Sequence, residues 1–182
     1  MRMHELLAQV RRLHGAGERV ALATLVDVLR SAPRDPGAVM AISSAGTILG
    51  SISGGCVEAA LAQEAAGVLR DGNARLVEYG LSDADARAVG LSCGGTLTVL
   101  VEALDPAETA ALERRLTTET LLAESARLDE GGRANRLFIF DDSALGSLGN
   151  ARLDDVVASD VRASIGGEAA EIRAYGDEGE PH

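Results

Sequence analysis

The chain has 182 residues, 46% of them hydrophobic and 2% aromatic, with a formal net charge of −11 at pH 7. That length supports one good core or two small ones; the acidity disfavours sequence-independent nucleic-acid binding and docking on anionic membranes, and there is no run of ~18 apolar residues to span a bilayer. All 17 basic residues are arginine, which excludes chemistry that needs a Schiff-base or P-loop lysine.

Leu6, Leu7, Val10 and Leu13 fall at helical spacing, and Gly15 and Gly17 end that helix. The start therefore reads as an amphipathic helix and not as a signal peptide. With two cysteines in all, the expectation is a cytoplasmic protein with free thiols. Arg19 to Leu29 is rich in Val and Leu and reads as a buried strand. The turn Ser31-Ala32-Pro33-Arg34-Asp35-Pro36-Gly37 follows, made rigid by its prolines. Ala38 to Ser43 and Thr47 to Ser53 form a hairpin across Ser44-Ala45-Gly46. A helix is expected over Cys56 to Leu69, a strand over Arg75 to Tyr79, a loop or short helix over Ser82 to Cys93, and a strand over Thr96 to Leu104. Asp105-Pro106-Ala107-Glu108 is a helix start, with Asp as cap and Pro at the first helical position. The polar tail, 177–182, is expected to be disordered.

The second half repeats the first at an offset of 96 residues: Leu49-Gly50-Ser51-Ile52 matches Leu145-Gly146-Ser147-Leu148, and Tyr79-Gly80 matches Tyr175-Gly176. The fold class is thus α+β, two related β-rich halves over 19–80 and 115–176, each running strand, hairpin, helix, strand, packed as a single domain over 1–176. The repeat also acts as an internal control. Gly50 has its counterpart in Gly146, whereas Gly54-Gly55-Cys56 faces Asn150-Ala151-Arg152, so the chemistry is expected in the first copy.

The segment Gly50 to Glu58 leads from a strand through a two-glycine corner into a helix, with Cys56 at the corner. Unpartnered amides at a helix start attract anions and favour a thiolate. A second cysteine lies in a similar setting, Ser92-Cys93-Gly94-Gly95. Cys56 has the chemistry of a nucleophile, a sulfur carrier or a soft-metal ligand, and equally of a small packing residue. Glu58 fits a general base, an acceptor that supports the site from behind, or a carboxylate placed at the positive end of a helix. Arg34 fits a two-pronged phosphate contact or a solvated turn. His4, His14 and His182 lie at the ends of the chain, so a histidine zinc site or a Ser-His-Asp triad is not expected. No CxxC, Walker A or GxGxxG pattern is present.

Taken together, Ser31-Ala32-Pro33-Arg34 with Pro36-Gly37, the Gly-Gly-Cys-Val-Glu of residues 54–58, and Ser92-Cys93-Gly94-Gly95 resemble the XdhC/CoxI family. These are accessory proteins for molybdenum hydroxylases such as xanthine dehydrogenase and CO dehydrogenase. The resemblance covers about residues 5–104 and continues more weakly to about 176. It implies a chaperone that binds molybdenum cofactor (molybdopterin), assists its sulfuration and delivers it to an apo molybdenum hydroxylase, holding metal only through that cofactor. The contacts it implies are Arg34, Ser53, Gly54, Gly55, Cys56, Ser92, Cys93, Gly94 and Gly95, with Cys56, Cys93 and Glu58 as the chemically active groups. It also implies a homodimer and a cysteine desulfurase as partner; relatives often continue into a Rossmann-type domain where this chain ends, so the chain reads as a stand-alone form, as one of a pair with a separate Rossmann-domain subunit, or as a piece of a longer protein. Two other readings stay open: a thiol-dependent sulfur-transfer or redox enzyme, and a protein-docking module that never touches the cofactor.

Overall fold

The computed structural model describes residues 3–30, 32–80, 95–164 and 175. The architecture is α+β, and the chain divides into two compact units that part between Leu104 and Asp105. The first unit carries α1 (Met3–Gly15), β1 (Val20–Leu29), β2 (Val39–Ser43), β3 (Ile48–Gly50), α2 (Glu58–Asp71), β4 (Arg75–Gly80) and β5 (Thr96–Ala103). Its strands form one five-stranded antiparallel sheet in the order β3-β2-β1-β5-β4.

Strand alternation decides which helix covers which face. Val20 and Leu22 of β1, with Ala41 of β2, pack with Leu6 and Val10 of α1. Their neighbours Ala21, Ala23 and Leu25, with Met40 and Ile42, pack with Leu61, Ala65 and Val68 of α2. The sheet is therefore apolar on both sides, which explains why β1 reads as a continuous hydrophobic run. Small residues at Ala21, Ala23 and Ala65 suit close packing in a chain with few aromatics.

The second unit carries α3 (Pro106–Arg115), β6 (Leu121–Leu128), β7 (Ala134–Phe140), β8 (Ala144–Gly146) and α4 (Ala151–Ala163). Its strands form a three-stranded antiparallel sheet in the order β6-β7-β8. Leu137 and Ile139 pack with Val157 and Ala158 of α4. Asp105 caps α3 as expected, its Oδ1 accepting from the amides of Ala107 at 2.8 Å and Glu108 at 2.9 Å.

The element order of the first unit, strand, hairpin and helix, thus recurs in the second. Gly50 and Gly146 share a left-handed backbone, at φ 87° and φ 89°. The register carries one refinement: Met40 lies opposite Gly50, and Leu137 opposite Gly146, so β7 is displaced by a single residue from the uniform offset. The displacement keeps Leu137 and Ile139 on the helix-facing side, as Met40 and Ile42 are in the first unit.

The element boundaries at the glycine corner differ from the sequence reading. β3 ends at Gly50 and not Ser53, and α2 begins at Glu58 and not Cys56. Residues 51–57 are a loop in which the amides of Ile52, Ser53, Gly54, Gly55 and Val57 donate to the Glu58 side chain and not to a sheet or helix, as described next. The segment Ser82 to Cys93 and the tail 177–182 lie outside the described residues. Among the described residues, no helix is long and apolar enough to cross a membrane.

Candidate functional site

The topology brings the expected segments to one end of the five-stranded sheet. In the antiparallel ladder, Leu29 at the end of β1 pairs with Thr96 at the start of β5, and Thr96 pairs also with Gly80 at the end of β4. At that same end, Val39 starts β2 opposite Thr24, and Gly50 ends β3 opposite Met40. The turn bearing Arg34, the loop bearing Ser53 to Cys56, and Gly95 just before β5 all emerge there. Ala32, Ala38 and Cys56 pack against the rim of the same apolar cluster beneath α2.

The Arg34 turn is anchored by backbone pairing. Gly37 donates its amide to the Leu25 carbonyl at 2.7 Å, and Leu25 donates back to Ala38 at 2.8 Å. Gly37 holds φ 93°, a conformation open to glycine. Arg34 itself is exposed. Arg30, where β1 gives way to the turn, has φ 76° and is the one non-glycine residue in the left-handed region among the described residues. Strain of that kind costs about 1–3 kcal/mol and clusters where a backbone is held for a purpose.

The corner itself is organised around Glu58. Its Oε1 accepts from the Ser51 hydroxyl at 2.7 Å and from the amides of Ile52 at 3.2 Å, Ser53 at 2.9 Å and Gly54 at 3.1 Å. Its Oε2 accepts from the Ser53 hydroxyl at 2.6 Å and from the amides of Gly55 at 2.9 Å and Val57 at 3.2 Å. Burial alone would raise the pKa of this carboxyl, but the Ser53 hydroxyl and amide and the Ser51 hydroxyl outweigh it and lower the value from 4.5 to about 2. Glu58 is therefore a permanently ionised acceptor near neutral pH. Of the readings open for Glu58, this geometry favours the acceptor, because a carboxylate that accepts from so many donors has little basicity to offer.

The same arrangement corrects the role expected of the glycine amides. Gly54 and Gly55 take left-handed backbone, at φ 78° and φ 125°, and their amides turn inward to Glu58 and not outward to an incoming anion. Ser53 is buried, with its hydroxyl donating to Glu58 and accepting from the Val57 amide at 3.0 Å, so it braces the loop from within. Cys56 is a free thiol, half-buried against the core. Gly95 is buried beside the start of β5. Ser92, Cys93 and Gly94 lie outside the described residues. Among the described residues no cluster of His, Cys, Asp or Glu could hold a metal ion.

That Glu58 gathers the corner amides was not read from the sequence, yet a signal existed. Ser51 and Glu58 recur as Ser147 and Asp154. The Ser147 hydroxyl donates to Asp154 at 2.6 Å, and the Leu148 amide donates to it at 2.6 Å. The repeat match passed over this pair because Glu58 and Asp154 are not identical, although both are carboxylates.

Comparison with known proteins agrees with the motifs. Residues 13–80 match the model of the XdhC and CoxI family. The molybdenum cofactor insertion chaperone PaoD of Escherichia coli (strain K12) is 38% identical over 93 residues, 51% of this chain and 29% of that protein. The uncharacterized protein YqeB of the same organism is 36% identical over 81 residues, 44% of this chain and 15% of that protein. The matched stretch is thus less than a third of either relative. A crystal structure of a xanthine dehydrogenase from Bacillus halodurans aligns with a TM-score of 0.68 and 28% identity, covering 82% of this chain and 46% of that one.

Proposed function

We propose that the chain binds molybdenum cofactor as cargo and hands it to an apo molybdenum hydroxylase, a reading supported by the match of residues 13–80 to the model of the XdhC and CoxI family. The observation that carries this reading is the meeting of the Arg34 turn, the Cys56 loop and the start of β5 at one end of the sheet. Likeness to a relative named as a molybdenum cofactor insertion chaperone supports the choice of cargo. The cargo offers a phosphate, which an arginine fork can grip with two hydrogen bonds. It also offers soft sulfur and metal, which a thiol can approach. Arg34 is the residue we assign to the phosphate and Cys56 the one we assign to the sulfur-bearing end. The glycine amides reach the cofactor only if Glu58 releases them, so the charged contact falls to Arg34.

We further assign to this site assistance in cofactor sulfuration, with a cysteine desulfurase as sulfur donor, in a homodimeric protein. The half-buried free thiol of Cys56 is the group that motivates the sulfuration step. The test is mass spectrometry of protein purified with its small molecules retained. Molybdopterin in wild-type protein, lost on Arg34→Ala, is the expected result. Protein that carries no pterin from a cofactor-producing host, and takes up none when titrated with it, would remove the cargo reading. Persulfide on Cys56 after incubation with a desulfurase is expected; its absence would remove the sulfuration step and leave cargo binding standing.

A further inference from the structure

The two copies of the repeat solve the same local problem in different ways. In the second copy Asn150 caps α4, its Oδ1 accepting from the amides of Arg152 at 2.9 Å and Leu153 at 3.3 Å. The helix therefore begins at Ala151, and Asp154 sits inside its first turn. In the first copy the equivalent of Asn150 is Gly54, which has no side chain to cap with. Its helix begins only at Glu58, and no side chain caps it at Val57. Residues Gly54 to Val57, helical or capping in one copy, are unwound in the other. Cys56 stands where the second copy has the helical Arg152.

Glu58 accounts for the difference. A helix running from residue 55 would turn the amides of Gly55 and Val57 along its own axis. Here both amides turn to Oε2 of Glu58, while Ile52, Ser53 and Gly54 turn to Oε1. Asp154, one methylene shorter, takes among the described residues only the Ser147 hydroxyl and the Leu148 amide in the hydrogen bonds of its loop. The extra reach of glutamate is what gathers the corner amides.

We infer that Glu58 is a positioning residue: its carboxylate keeps Gly54 to Val57 out of the helix and thereby sets the place and exposure of the Cys56 thiol. The inference rests on the reading of Cys56 as a cofactor-facing group, and deepens it. The cradle is a built-in device of the first copy, and the second copy shows what the same chain does without it.

The test is the rate of iodoacetamide alkylation at Cys56 in the full chain, followed by peptide mass spectrometry so that Cys93 is counted separately. Glu58→Asp keeps the charge but withdraws it by ~1.5 Å, one carbon–carbon bond. It should hold Ser51 and Ile52, as Asp154 holds its counterparts, and release Gly55 and Val57. The Cys56 rate should change by about three-fold or more while the folded baseline in circular dichroism is kept. Glu58→Gln, which sets an amide group against amide donors, should change it further. Asp154→Asn is the matched control and should leave the Cys56 rate unaltered. A wild-type rate in Glu58→Asp, or an equal change in Asp154→Asn, would overturn the inference. Because alkylation needs no cofactor, that outcome would leave the cargo reading untouched, and a failure of cofactor binding would leave this one standing.

Discussion

At the scale of single residues, Glu58 and Arg34 have opposite duties. Glu58 turns inward, and its lowered pKa of about 2 ties its contribution to pH. A carboxylate with a folded pKa below its unfolded value stabilises the fold above the unfolded value, and loses that contribution as pH falls through the folded one. The loss should therefore run from about pH 4.5 down to about pH 2. Wild type should exceed Glu58→Gln in denaturant midpoint at pH 7, and the gap should narrow across that window; a gap independent of pH would contradict the assignment. Arg34 faces solvent on a turn fixed by Gly37 and two prolines. If it grips the cargo phosphate, Arg34→Ala should weaken binding by about 1.5–3 kcal/mol, the worth of a hydrogen bond to a charged group, or roughly ten- to a hundred-fold. Arg152→Ala, at the repeat position equivalent to Cys56, should leave affinity unchanged. Equal losses at both positions in titrations at one salt concentration would point to general charge and not to a site.

At the scale of elements, the repeat separates what holds the fold from what was added to it. Gly146 closes β8 with φ 89°, and a Cβ there would stand 2.2 Å from the Arg136 carbonyl oxygen. Gly146→Ala should destabilise the second unit by at least about 1–3 kcal/mol, because neither the backbone angle nor the carbonyl can yield easily. Asn150→Ala should cost about 1 kcal/mol through loss of the α4 cap. Thermal melts of both variants check the ranking: an Asn150→Ala protein less stable than Gly146→Ala would reverse the argument. Much of this level was legible in the sequence. The strands announced themselves by apolar runs and the helices by caps and spacing, and the glycine pair at Gly50 and Gly146 exposed the repeat. The start of α2 was not legible, because the unwinding of Gly54 to Val57 depends on the reach of a side chain that folds back over seven residues to Ser51. A helix-start pattern looks the same whether its amides await a ligand or already serve an internal carboxylate.

At the scale of the whole molecule, the candidate site depends on a pairing that local patterns do not reveal. β5 slots between β1 and β4, although β4 precedes it in the chain. That insertion sets Gly95 beside the ends of β1 and β4, and so beside the Arg34 turn. The motifs were visible one by one; their common address followed only from the ladder. The net charge of −11 sets a further expectation. An anionic cargo approaches an acidic protein against repulsion that salt screens, with a Debye length of ~10 Å at 0.1 M. The association rate should therefore rise by about two-fold or more between ~20 and ~200 mM salt. A falling rate in stopped-flow titration would mean that local arginine steering dominates the global field. The crowding of functional segments at one end of the sheet has a practical converse. Among the described residues, the far end carries the turn at Ser44 to Gly46, the one at Gly72 to Ala74, the link from α1 into β1 and the exit of β5 at Leu104. A fluorescent domain or affinity peptide spliced at Ala45 or Asn73 would hang some five strand residues away from the cargo end, which makes those turns the natural places to attach a reporter to the working protein.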